Sequence, residues 1–410
     1  MASAPVIENP DPFDMSRAEI YLEHRWHEPF RELRHTAPVY KVEDSEFGPY
    51  WNVSTYKPIQ HVEALPDIYS SAIEHGGITI ADRVDEDEVE MPMFIAMDRP
   101  KHTGQRRTVS PAFTPTEMKR MAEEIRTRTG ELLDTLPWDE EFDWVDKVSI
   151  ELTTGMLALL FDFPWEDRRL LTFWSDWAGD VELSKDKSMR EQRLQHMFEM
   201  GAYFKKLWDK KLEAEPTPDL LSMMIHSDAT KDMDEFEFMG NLILLIVGGN
   251  DTTRNSMSGL AYGLNKFPEQ REKLEQNPDL IPNATSEIIR WQTPLAHMRR
   301  TALEDTELEG QQIKKGDKVI LWYISGNRDE TVFENADQLD IERENARRHL
   351  AFGYGIHRCV GARLAELQIS ILLEEMAARR MRVNVIGEPE RVNASFVNGY
   401  RKMNVKLSKY

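Results

Sequence analysis

Cys359 is the only cysteine in this 410-residue chain, and it lies in Phe352-Gly353-Tyr354-Gly355-Ile356-His357-Arg358-Cys359-Val360-Gly361. A lone cysteine forms no disulfide within its own chain, and by itself it reads as a small buried hydrophobe. Its neighbours point elsewhere. Three glycines in the first ten positions around it permit tight turning and close approach of the backbone to something flat or bulky. Backbone N–H groups in such a loop can aim at sulfur, while His357 and Arg358 add positive character that favours the thiolate. The helix-forming run Ala362-Arg363-Leu364-Ala365-Glu366-Leu367 follows at once, placing the sulfur near a helix N-terminus that also favours negative charge. The chemistry this suits is ligation of iron by an anionic sulfur.

A second segment, Leu242-Ile243-Leu244-Leu245-Ile246-Val247-Gly248-Gly249-Asn250-Asp251-Thr252-Thr253-Arg254, turns from an apolar helix into two glycines, an acid and two threonines. Each glycine costs roughly 1 kcal/mol in a helix interior. Close helix packing would account for them. So would a local widening that admits a small ligand beside the Thr252 hydroxyl and the Asp251 carboxylate. A third pattern, Glu287-Ile288-Ile289-Arg290, is by itself an ordinary acid–base pair one helical turn apart.

Together these segments resemble the cytochrome P-450 monooxygenases. Phe-Gly-x-Gly-x-His-x-Cys-x-Gly is that family's haem-binding loop, and each of its fixed positions is filled here. The resemblance extends from about Pro38 to the C-terminus, with the motifs in the expected order. It implies haem b (iron protoporphyrin IX) ligated by Cys359. It also implies that Asp251 and Thr252 form the acid–threonine pair that relays protons for O–O cleavage, Thr252 next to the oxygen and Asp251 linked to solvent protons. Gly248 stands where alanine is commoner and leaves more room above the iron. Glu287, Arg290 and Arg343 correspond to a buried ion-pair network with a structural role. His102, Arg106, Arg300 and His357 match positions that hold the haem propionates, with Arg299 competing for the place of Arg300; cationic or donor side chains are the physical answer to two buried carboxylates.

These residues need a long helix and a rigid loop to hold them. Helical periodicity is expected over 116–136, 146–160, 189–213, 235–267 and 268–276, and short strands over 38–42 and 50–53. Lys314-Lys315-Gly316-Asp317 reads as a turn between two short strands. Neither a repeat nor a long linker interrupts the chain. The expected architecture is mainly α with a small β portion. It is one domain over 1–410, with 1–15 a loose arm and haem between the long central helix and the cysteine loop.

The chain carries 72 acidic against 51 basic residues, a formal net charge of −21, which disfavours nucleic acid and anionic membrane as partners. No apolar stretch in the first forty residues suggests a signal peptide or membrane anchor, and with one cysteine the expected location is cytoplasmic. Zinc-protease, phosphate-loop and serine-nucleophile motifs are missing. One cysteine holds no iron–sulfur cluster, so electrons are expected from a ferredoxin and its NAD(P)H-dependent reductase. Lys101, Arg106, Arg107, Arg347, Arg348, Arg358 and Arg363 would form the docking face.

Apolar segments around Ile80, Met93, Leu244, Val247, Gly248, Leu295 and Ala296 suggest a pocket for a small hydrophobic substrate, with O2 as co-substrate. The wording of 248–256, 291–300 and 321–329 is similar to the bacterial medium-chain alkane and fatty-acid terminal hydroxylases. That resemblance implies insertion of one oxygen atom into a terminal C–H bond. A terpenoid or steroid substrate, or a non-catalytic haem-binding sensor or carrier, are the alternatives. Replacing the ligand gives the first test: Cys359→Ser should abolish the red-shifted Soret band of the ferrous CO complex, and persistence of that band would remove Cys359 from the iron.

Overall fold

The apolar run and the Gly-Gly pair belong to one uninterrupted helix, Glu235–Lys266, in a computed structural model that describes residues 11–82, 89–179 and 187–410. The Asp234 carboxylate caps this central helix by accepting the Glu237 N–H at 2.9 Å, and Glu235 and Glu237 add negative charge to its first turn. Its first half, around Leu242 and Ile246, packs into one helical core with Leu157, Phe161 and Phe204. Its second half, around Met257 and Leu260, packs into another with Trp144, Ile288 and Ile369. The glycine–acid–threonine stretch falls between these two cores.

The glycines divide the two explanations between them. A Cβ on Gly249 would lie 2.8 Å from Leu157 Cδ2, so this glycine serves close helix packing. A Cβ on Gly248 would meet nothing within 4 Å, because that face looks into open space. The helix itself does not widen.

Expected and observed helices agree at Pro115–Asp134, Lys187–Leu212 and Pro268–Gln276. The helix expected over 146–160 begins as a π-turn, Val145–Ile150, and continues as Glu151–Phe161. Helices at His27–Thr36, Arg169–Gly179 and Leu220–His226 were not expected. The main sheet has five strands in the order Val39–Val42, Tyr50–Val53, Lys318–Leu321, Met298–Ala302, Tyr69–Ser70, and only the second and third of these run parallel. No described helix is long and apolar enough to cross a membrane.

The loose arm expected over 1–15 is corrected at its end. Residues 1–10 lie outside the described residues, but 13–15 are anchored: Phe13 packs edge-on against Tyr40, Asp14 accepts the Tyr50 hydroxyl at 2.9 Å, and Met15 is buried.

The cysteine loop hangs on a buried ion pair. Arg290 donates from Nε and Nη2 to the two Glu287 carboxylate oxygens at 2.7 Å each, and Arg343 adds Nε at 3.1 Å. The spare Arg290 Nη1 donates to the carbonyls of Asn327 (2.7 Å) and Ala336 (2.8 Å). Asn327 Oδ1 in turn accepts the Leu350 N–H at 2.6 Å, at the start of the loop. Both members of the central pair are fully buried, so truncating one leaves an unpaired charge in a dry interior. Glu287→Ala should therefore cost roughly 3–5 kcal/mol in chemical denaturation, the range for breaking a buried pair, and a loss under 1 kcal/mol would deny the network this role.

Candidate active site

The cysteine loop and the central helix face each other across a cavity of about 680 Å³. Gly353 (φ +64°) and Gly355 (φ +66°) adopt left-handed backbone, which L-residues with a Cβ rarely do. A Cβ on Gly355 would also overlap the Glu63 carbonyl oxygen, so the loop is pressed against the helix Tyr56–Ala64. The Cys359 N–H donates to Phe352 O at 2.8 Å, closing the loop, and Cys359 is exposed and lines the cavity.

Burial pushes the Cys359 thiol up, against the opposing pull of the Gly361 N–H, Arg106 and Arg358. The His357 charge expected to assist is absent. Burial first, then Arg300 and His102, hold the His357 pKa down to about 2, so its ring is neutral. His102 is similarly lowered to about 4, by burial and then by Arg106. The four expected cations are therefore two arginines and two neutral imidazoles.

All four line the cavity. The His102 and His357 rings lie 4.3 Å apart, and both nitrogens of each are buried without a hydrogen-bond partner. Each neutral ring has one N–H to donate, and these two unpartnered donors, flanked by Arg106 and Arg300, fit an anionic ligand that supplies acceptors. Arg300 donates to Glu63 Oε1 at 3.1 Å and to Arg299 O at 2.7 Å while facing the cavity. Arg299 turns away to pair with Asp82 at 2.6 Å, and of the two arginines Arg300 is the one that lines the cavity.

Glu63 is a residue that sequence reasoning missed. Its buried carboxyl accepts from Arg300 and from the Tyr323 hydroxyl at 2.5 Å, and burial raises its pKa against the pull of Arg300. A single glutamate in a short amphipathic helix carries no signal of this role.

On the opposite wall, Thr252 Oγ1 donates to Gly248 O at 2.8 Å. Asp251 concentrates its partners on one oxygen: Oδ1 accepts from Ser175 Oγ (3.0 Å), Asn250 Nδ2 (3.1 Å) and Arg254 Nη2 (3.0 Å). Arg254 Nη1 reaches the exposed Asp176 at 2.8 Å, so the buried acid is joined to the surface through one guanidinium. Ser175 and Asp176 come from the unexpected helix Arg169–Gly179.

Met93, Leu244, Val247, Gly248 and Leu295 line the cavity, but Ile80 and Ala296 do not. Both are buried in a separate core with Trp322 and Ile324. For Ala296 the reason is extended backbone beside the Leu295–Val397 bridge, in which successive side chains point to opposite sides. Ile78 and Thr79 face the cavity near Ile80, and Leu295 does so beside Ala296.

Burial raises Asp251 from 3.8 to about 6, with Arg254 pulling the other way. The folded protein thus keeps a proton that the unfolded chain has released between those values. The contribution of Asp251 to stability accordingly falls as pH rises from 4 to 6, by about 3 kcal/mol in all. Asp251→Asn should gain on the wild type by about that amount across the same window, measured by denaturation at successive pH values. A pH-independent difference would mean that Asp251 titrates normally.

Comparison with known proteins agrees with this geometry. A family model described as Cytochrome P450 matches residues 139–379. Linalool 8-monooxygenase from Pseudomonas putida is 36% identical over 403 residues, covering 96% of this chain and 98% of its own. Among solved structures, Cytochrome P450-153 from Novosphingobium aromaticivorans is 62% identical with a TM-score of 0.93, covering 97% of this chain and 100% of its own. CYP153D17 from Sphingomonas sp. PAMC 26605 is 70% identical at the same TM-score and the same coverages. With half of its length matched by the family model and nearly all of it by these relatives, the chain belongs to the cytochrome P450 family, as a monooxygenase whose cofactor is haem b.

Proposed function

We propose that this monooxygenase inserts one oxygen atom from O2 into a terminal C–H bond of a medium-chain alkane, alkyl compound or fatty acid. The observation that carries this reading is the apolar part of the cavity lining: Met93, Leu244, Val247, Leu295 and Val397 all line the cavity, and none carries a hydrogen-bonding side chain. Such a lining holds a flexible hydrocarbon by area alone. The resemblance of 248–256, 291–300 and 321–329 to terminal hydroxylases points the same way.

Cys359 would hold the haem iron, with His102, Arg106, Arg300 and His357 donating to the propionates. Bound haem supplies the oxidising chemistry, with two electrons and two protons reducing the second oxygen atom to water. The protein's part is proton delivery and positioning. Asp251 is fixed through Oδ1, leaving Oδ2 as the atom that carries a proton toward the Thr252 hydroxyl. Primary C–H bonds are the strongest on an alkyl chain, so terminal attack depends on holding the end carbon in place and the weaker bonds away.

Electrons would come from an acidic ferredoxin and its NAD(P)H-dependent reductase. Arg107, Arg347, Arg348, Arg358 and Arg363 are exposed, and three of them gather about Glu366, beneath the cysteine. Lys101 is instead paired with Glu237 at 2.8 Å, and Arg106 is turned inward to the Arg358 carbonyl. A second reading, a terpenoid substrate, is favoured by the identity to linalool 8-monooxygenase.

Reconstitution with a ferredoxin, its reductase and NADH, given octane, a medium-chain fatty acid and linalool together, separates these. Predominantly terminal alcohol from octane or the acid is the expected result. Turnover of linalool alone would replace the proposal with the second reading, and no product despite reduced haem would send the search to cyclic hydrocarbons.

A further inference from the structure

The segment that closes the cavity over the substrate is fastened to the same helix that carries Gly248 and Thr252. We infer that Gly240 and Asn241 are positioning residues that set which carbon of the substrate is oxidised, by fixing how deep Met93 and Phe94 reach into the cavity. This rests on the hydrocarbon reading above.

Two contacts make the fastening. Gly240 has no side chain where the strand-like segment crosses the central helix. A Cβ there would overlap the Pro92 carbonyl oxygen and lie 2.6 Å from that of Met91. These obstacles are backbone atoms, so no rotamer change relieves them. One residue on, Asn241 Oδ1 accepts the Phe94 N–H at 3.0 Å, and Asn241 Nδ2 donates to Gln105 Oε1 at 3.0 Å. Gln105 donates to Glu237, whose other oxygen takes Lys101 Nζ at 2.8 Å. Asn241 and Gln105 are 1% and 2% exposed, so a lost partner here is not replaced by bulk water.

The periodicity makes the clamp a ruler. Residues 237, 241, 244 and 248 succeed one another along one face of the helix. Asn241 is therefore about 10 Å along the axis from Gly248, at about 1.5 Å per residue. Met93 and Phe94 both line the cavity, and Phe94 is held through its backbone N–H rather than its side chain. The wall that they form is thus set at a fixed height from the residues of the proton relay. Releasing either contact lets the wall withdraw and lets internal carbons approach the reacting position, which loosens regiochemistry before it affects binding.

The test compares wild type with Asn241→Ala and Gly240→Ala, scoring terminal against internal alcohol from octane in the reconstituted system, with the ferrous CO spectrum recorded for each. Product ratio is independent of how much enzyme is active, so a purely structural defect leaves it unmoved. The expected result is a several-fold rise in the internal fraction for both variants, with the CO spectrum retained. An unchanged ratio in both would overturn the inference. Loss of haem from both would do so as well, since the clamp would then serve folding only. Internal alcohol from the wild type itself defeats the terminal reading instead, and the clamp is then judged by whether the variants shift that distribution.

Discussion

Everything at the site hangs from one fully buried guanidinium. Arg290 spends two donors on Glu287 and donates as well to backbone carbonyls from two separate stretches, Asn327 in one and Ala336 and Gln338 in the other. Removing two charges from water is costly, and a pair replaced by apolar residues can be as stable. What an apolar replacement lacks is direction. The planar fork fixes two chain segments at once, and through Asn327 it reaches Leu350 on the approach to Cys359. The ion pair is thus best understood as a device of geometry, holding a loop that contains two left-handed glycines and little regular structure of its own.

The opposite wall is organised by a different constraint. The central helix is shared by two hydrophobic cores, and it lines the cavity between Ile243 and Ser256, where one core gives way to the other. Because both ends are locked by packing, the glycines can be spent on local needs: Gly249 admits Leu157, Gly248 leaves space, and Gly240 admits the crossing backbone of Met91 and Pro92. The loss of helix propensity at these positions is offset by burial along the rest of its length.

Much of this was legible in the sequence, unevenly and for physical reasons. The central helix announced itself by a long apolar run, and the cysteine loop by glycines at fixed spacing. Glu287, Arg290 and Arg343 were placed together by resemblance, and their burial is seen only in three dimensions. Ile80 and Ala296 were misjudged because hydropathy reports that a residue is buried but not toward what. His357 was misjudged because the charge of an imidazole depends on neighbours far away in the chain, here Arg300 and His102. Ser175 and Asp176 were missed although their helix is amphipathic, because nothing in its sequence says that it packs beside Asp251 and Arg254. Glu63 was hidden for a related reason: its partners Arg300 and Tyr323 are more than two hundred residues distant.

The solitary cysteine has one more consequence. Because the chain has a single sulfur of this kind and it is exposed at the cavity, alkylation stoichiometry is a direct census of ligand occupancy. A maleimide and an iron atom compete for the same lone pairs. Each molecule counts as either labelled or loaded, with no background thiol to subtract, and a mass spectrum of a crude preparation reads out the loaded fraction directly.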